Sequence, residues 1–204
     1  MRTRRSDNQR TFTELARRAQ IAGCAAEAIA EVGYADASMA EIARRAGVAK
    51  SVVSYHFSDR AELMGEVLRT AMAAYATFME PRMARATSAS DKLRAYVVGT
   101  ADYVVEQRSL HVAVIEIGLN ATSADGRPLI ATMRLHAPEP SVEDLLRQGQ
   151  RDGEFREFDV QVVGGVVRSA LTHDMVLRQR NDPGIDLQAY AEELVRLFDL
   201  GIRR

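Results

Sequence analysis

The 204-residue sequence has no tryptophan, one cysteine, five prolines and thirteen glycines. Cys24 alone can close no internal disulfide and supply no CxxC metal site. The four histidines, His56, His111, His136 and His173, are scattered, with no HxxxH pair. No metal ligand set is therefore expected. No GxSxG turn and no strand–helix alternation occur, which speaks against hydrolase chemistry. The sequence thus predicts no catalytic residues, no metal, no cofactor and no enzyme. No apolar run reaches the ~18 uncharged residues of a membrane span. The opening MRTRRSDNQR is basic but has no apolar segment behind it, so the expected location is the cytoplasm, away from membranes. Scarce Pro and Gly with abundant Ala favour helix, and the expected fold class is all-α.

The chain is 47% apolar and 27% charged, enough to bury a substantial core. Its net charge of -1 hides an asymmetry. Residues 1–60 hold ten Lys or Arg and seven Asp or Glu, while 61–204 hold seventeen and twenty-one. Arg4 and Arg5 belong to a basic stretch, 1–10, expected to be a flexible arm able to meet a polyanion.

Helical spacing runs from about 11 to 32, with Leu15, Ile21, Ala25, Ala28, Ile29 and Val32 as the apolar set and Gly33 as C-terminal cap. Short helices are expected over 39–46 and 50–57. A fourth starts near Asp59 and runs past Met79. Further helices are expected over 91–107, 109–119, 127–136, 141–151, 159–180 and 187–203. The change from short to long helices sets a boundary near residue 60, with a small unit over 11–60 and a larger one over 61–204.

The informative stretch is Ser38 to Phe57. Ser38 can cap a helix with Glu41 completing a capping box. Gly47 sits where a left-handed residue turns the chain back. On a helical wheel, Ala49, Val53 and Phe57 share one face, and Lys50, Ser51, Ser54 and Tyr55 the other, with Val52 and His56 at the flanks. A short helix that offers a cation, hydroxyls and an aromatic ring beside a tight turn has what a recognition helix needs in the major groove of double-stranded DNA.

Gly33-Tyr34, Ser38-Met39-x-x-Ile42-Ala43-x-x-Ala46-Gly47-Val48-Ala49-Lys50-Ser51, Tyr55-His56-Phe57 and Arg60-x-Glu62-Leu63 resemble the DNA-binding domain of the TetR family of bacterial repressors. The resemblance covers about residues 15–65. The ending around Asp182-Pro183, Asp186-Leu187, Tyr190 and Glu193-Leu194 looks like the C-terminal domain of the betaine-repressor type. The resemblance implies a homodimer on a palindromic operator, with a helical C-terminal domain that binds a small-molecule effector and dimerises. It implies base contacts from Lys50 and the next residues, Ser51 and Val52, and phosphate contacts from Ser38, His56 and Arg60, with Ser54 and Tyr55 as further DNA-binding candidates. At position 54 the family usually has Tyr; here Ser54 is shorter and Tyr55 carries the phenol.

In the larger half, Tyr75, Phe78, Met79, Tyr103, His111, Val114, Met133 and Met175 are the candidate effector-binding residues. Gly164 and Gly165 interrupt a good helix, which close packing at a dimer interface with Leu194 and Phe198 would explain. The expected function is a ligand-released transcriptional repressor. The alternative is a helical adaptor or ligand-binding protein that does not bind DNA.

Overall fold

A computed structural model describes the backbone of residues 3–123, 125–129, 141–182 and 184–204, and the side chains of these residues except 3–12, 173, 176, 180 and 181. The described elements are helical: α1 (Thr3–Asp36), α2 (Met39–Arg45), α3 (Lys50–His56), α4 (Arg60–Arg85), α5 (Ala89–Glu106), α6 (Arg108–Asn120), α7 (Val142–Arg151), α8 (Val160–Ser169), α9 (Met175–Asn181) and α10 (Leu187–Ile202). A π-helical turn, Ala170–Asp174, joins α8 to α9. Among the described residues, extended pairing is limited to isolated bridges, Thr122 with Pro128 and Phe155 with Arg203. The all-α expectation is met.

Two compact units form. One contains the described residues of Met1–Met72 and Ser109–Leu135, the other those of Ala73–Arg108 and His136–Arg204. Packing therefore divides the chain inside α4, not near residue 60, and assigns α6 to the first unit. The reason is core volume. Ile21, Ala25 and Ile29 of α1, Ile42 of α2 and Val53 and Phe57 around α3 are buried together with Leu63, Met64, Val67 and Leu68 of α4 and Ala113 and Ile117 of α6. Helices as short as α2 and α3 need such neighbours to persist.

Helix α1 starts at Thr3, so the backbone of residues 3–10, expected as an arm, is helical. No Gly or Pro stands between Thr3 and Ile21 to stop it. The side chains of Arg4 and Arg5 lie outside the described residues. Leu15 and Val32, read as core residues, are exposed. Helix geometry breaks at Gly33, whose φ of +84° suits glycine alone.

In the second unit, α5 packs along α10 and α7, and α7 along α8. Leu93, Val97, Ala101 and Val104 meet Leu146, Leu171, Met175, Ala191 and Val195. Capping boxes start α5 (Ser88 with Asp91) and α7 (Ser141 with Asp144). The Glu154 carboxylate accepts from Ala89 and Ser90 N–H at 2.9 and 3.0 Å, which pins the start of α5. The single helix expected over 159–180 is broken by the π turn, and most of the helix expected over 127–136 falls outside the described residues.

Candidate functional site

The turn between α2 and α3 is built by backbone chemistry. Gly47 has φ +66°, its N–H bonds to Arg44 O at 3.2 Å, and the Val48 N–H bonds to Ala43 O at 3.0 Å. This pair of bonds is a Schellman closure, and it requires a left-handed residue at position 47. Ser38 caps α2 by accepting from Glu41 N–H at 3.2 Å. The Glu41 carboxylate is held down to about 2, first by hydrogen bonds from Arg44 and then from Arg45. Arg45 also reaches Glu31 of α1 at 2.7 Å.

Val53 and Phe57 are buried, which fixes the rotation of α3. Lys50, Ser51, Ser54 and Tyr55 are all exposed, Tyr55 at 80%, and Val52 is half-buried. The wheel's polar face is thus the free face. Ala49 departs from the wheel: it is the N-cap of α3, lies ahead of the buried stripe, and is exposed.

Two of the expected phosphate contacts are engaged inside the unit. The Arg60 guanidinium lies 4.1 Å from the Tyr34 ring centroid, and its Nη2 donates to the Tyr34 carbonyl. Half-buried His56 sets its ring edge-on to Tyr55, with 5.1 Å between centroids. Its Nδ1 is buried without a hydrogen-bond partner among the described residues.

Sequence reasoning missed Arg18. Its guanidinium sits 4.2 Å over the Phe57 ring, donates to the His56 carbonyl, and pairs with Glu62 at 2.9 Å and Glu66 at 3.1 Å. One side chain of α1 thereby fixes both the end of α3 and the start of α4. Glu62 is held low by the Ser58 N–H and then by Arg18. Burial pushes Glu66 up, but hydrogen bonds from Arg69 and Arg18 prevail and hold it low. In the sequence Arg18 reads as one more basic residue on a helix.

The second unit holds five of the eight expected effector residues and clusters four of them. Tyr75 and Phe78 meet Tyr103 edge-on at 5.1 and 5.4 Å, and Met79 lies buried near Gly99. The Tyr75 hydroxyl is 2.7 Å from Thr100 Oγ1, which donates to Tyr96 O at 2.7 Å. Burial raises Tyr75 and Tyr96 and pushes Tyr103 up to about 12, so these phenols are neutral hydrogen-bonding groups at physiological pH. Met175 is part of the packed core. His111 and Val114 belong to the first unit, and Met133 lies outside the described residues.

The two helix-interior glycines separate. A Cβ on Gly164 would lie 2.6 Å from Glu143 Oε1, so this glycine makes room for a carboxylate of the same chain, which pairs with Arg168. This contact within the chain by itself accounts for a glycine at position 164. Gly165 has nothing within 4 Å of such a Cβ. Leu194 and Phe198 are half-buried against the second core. Beside them, Val162 and Val166 of α8 and Leu197 and Leu200 of α10 are exposed, Leu200 at 87%.

Comparison with known proteins agrees with this geometry. Residues 24–67 match the sequence model of bacterial regulatory proteins, tetR family. The chain is similar to the fatty acid metabolism regulator protein of Bacillus subtilis (strain 168), 23% identical over 184 residues, covering 90% of this chain and 94% of that protein. It is 36% identical over 88 residues to the transcriptional regulator BetI of Ectopseudomonas mendocina, a match spanning 42% of this chain and 45% of that relative. The crystal structure of the transcriptional regulator FadR from Bacillus subtilis in complex with stearoyl-CoA shares the fold. Its TM-score is 0.75 at 22% identity, over 90% of this chain and 98% of that one.

Proposed function

We propose that this chain, which carries the helix-turn-helix domain of the tetR family of bacterial regulatory proteins, is a cytoplasmic repressor that holds a palindromic operator as a homodimer and releases it when a small molecule binds the second unit. The observation that carries the DNA half is the free face of α3. Lys50 offers donors to guanine acceptors, the Ser51 and Ser54 hydroxyls donate or accept, and Tyr55 adds an apolar ring and a phenol. The Arg18, Arg45 and Arg60 contacts stiffen the domain behind that face, so little side-chain order is lost from the scaffold on binding.

The exposed apolar faces of α8 and α10 support dimerisation. Two copies joined there would form a four-helix bundle about a two-fold axis. A dimer that reads successive major grooves needs its recognition helices ~34 Å apart. The effector acts by binding one spacing of the two DNA-binding domains better than the other, with α4 as the shared helix.

The test is retention of fragments from sheared genomic DNA, followed by sequencing. We expect one short palindrome to be enriched. Affinity for it should fall linearly with salt on logarithmic axes. Lys50→Ala with Tyr55→Ala should lower affinity at least ~30-fold, as two base-edge contacts of ~1–3 kcal/mol each imply, while the thermal melt stays in place. A protein that retains no DNA after denaturation and refolding to strip ligand is an adaptor, and the repressor reading fails.

A further inference from the structure

A groove of about 360 Å³ runs between the last turns of α4 and the first half of α5, with Arg82, Arg85 and Arg94 on its walls and Val98 and Gly99 in its floor. Its two acids are already committed. Asp91 closes the capping box of α5. Asp102 accepts from the Gln188 side chain and holds Arg82 only at 3.8 Å. Arg94 pairs with Glu192. The Arg85 guanidinium is exposed and has no partner among the described residues.

Beneath the cations the wall is apolar. The Arg82 guanidinium carbon lies over the Phe78 ring, 3.6 Å from its centroid, and Phe78 leads to Tyr103 and Tyr75. Position 99 has no room for a side chain: a Cβ there would meet Met79 Sδ at 2.9 Å and Arg82 Cδ at 3.1 Å. Arg82 closes this wall: its Nη1 donates to the Phe78 carbonyl at 2.9 Å, while its ion pair with Asp102 is long. Opening the wall costs that one hydrogen bond and the stack on Phe78, a contact that an aliphatic chain could replace.

We propose that this groove seats the anionic end of an amphipathic effector, a carboxylate or phosphate on an aliphatic chain. Arg85 and Arg94 hold the oxyanion, and Arg82 swings off Phe78 to admit the chain to the ring cluster. Guanidinium forks suit both oxyanions, because two parallel N–H groups match two oxygens. The inference rests on reading the second unit as the effector-binding half.

The experiment titrates the full chain with stearoyl-CoA, stearate and coenzyme A by calorimetry. It compares wild type, Arg85→Ala, Arg85→Lys and the double variant Arg85→Ala/Arg94→Ala, each checked by a thermal melt. At least one of the two aliphatic anions should bind, with coenzyme A much weaker than stearoyl-CoA. Arg85→Ala should weaken that binding about tenfold, the double variant further, and Arg85→Lys should recover part of the loss. Stearate as the tighter ligand identifies a carboxylate end, and stearoyl-CoA a phosphate end. Equal affinities in wild type and double variant would overturn the groove assignment. So would the failure of both aliphatic anions to bind a protein that retains its operator. Loss of operator retention by ligand-stripped wild type is a separate result, and it fails the repressor reading instead.

Discussion

Tyr55 and His56 are sequence neighbours with different surroundings. Tyr55 projects into solvent, while the His56 ring is half-buried and its carbonyl is held by Arg18. The sequence separates them only by ~100° of helix rotation, and the burial of Val53 and Phe57 settles which one is free. A second histidine carries a pH prediction. His111 is buried on α6, and burial holds it down at about 4, against 6.5 for the free group. Between those values the unfolded chain takes up a proton that the folded chain refuses. The stability contribution is full above pH 6.5 and is lost as pH falls toward 4. The size is up to about 3 kcal/mol, at ~1.4 kcal/mol per pKa unit. Glu62 and Glu66 are depressed from 4.5, so their contributions are lost only below about that value, and they leave the range from pH 7 to pH 5 to His111. Urea midpoints of wild type should therefore drop between pH 7 and pH 5 by more than those of His111→Leu, in which nothing titrates there. Parallel curves for the two proteins would refute this.

At the scale of elements, close approach decides which glycines matter. A Cβ on Gly149 of α7 would lie 2.1 Å from the buried Phe155 ring, and one on Gly164 of α8 would strike Glu143. Gly149→Ala and Gly164→Ala should each destabilise by ~1–3 kcal/mol, as overpacking does. Gly165→Ala meets nothing within 4 Å in the chain and should gain up to ~1 kcal/mol from helix propensity. Chemical denaturation of the three variants measures this, and equal effects would contradict it. The π turn is the other element-scale feature. One extra residue in a turn rotates the remainder of the helix by ~100°, so Asp174 and Arg178 come into line with Val166 instead of turning toward the core. There they line one groove with Tyr190 and Leu197. The Tyr190 hydroxyl shares its one proton between Asp174 Oδ2 at 2.7 Å and Ala170 O at 3.2 Å. Tyr190 thus satisfies a carbonyl at the start of the π turn and ties α10 to it.

For the whole molecule, the surface left apolar carries the prediction. Val162, Val166, Leu197 and Leu200 lie on α8 and α10, outside the core of their own unit. If two copies bury this face together, Val166→Glu or Leu197→Glu leaves an unpaired charge in the contact. Light scattering at micromolar concentration should then report a monomer where wild type is a dimer, and operator affinity should fall with it. Far-UV circular dichroism should stay unchanged, since both side chains are exposed in the single chain. A wild-type protein that is monomeric under these conditions overturns the dimer.

By itself the sequence determined most of the helices, the Gly47 turn and the polar face of α3. These depend on local chemistry: propensity, capping residues, one left-handed position and a 3.6-residue period. That is also why the helix-turn-helix motif and the residues proposed to face DNA were legible. Tertiary structure alone decided the rest. It put the unit boundary inside α4, because the three N-terminal helices need Leu63, Leu68 and Ile117 to close their core. It set the Arg60 guanidinium, expected at a phosphate, against Tyr34, and it made Arg18 a clamp on Phe57. It seated the Glu143 carboxylate against Gly164. In each case the partner is distant in sequence, and an arginine or glycine gives no local sign of which distant group it will meet.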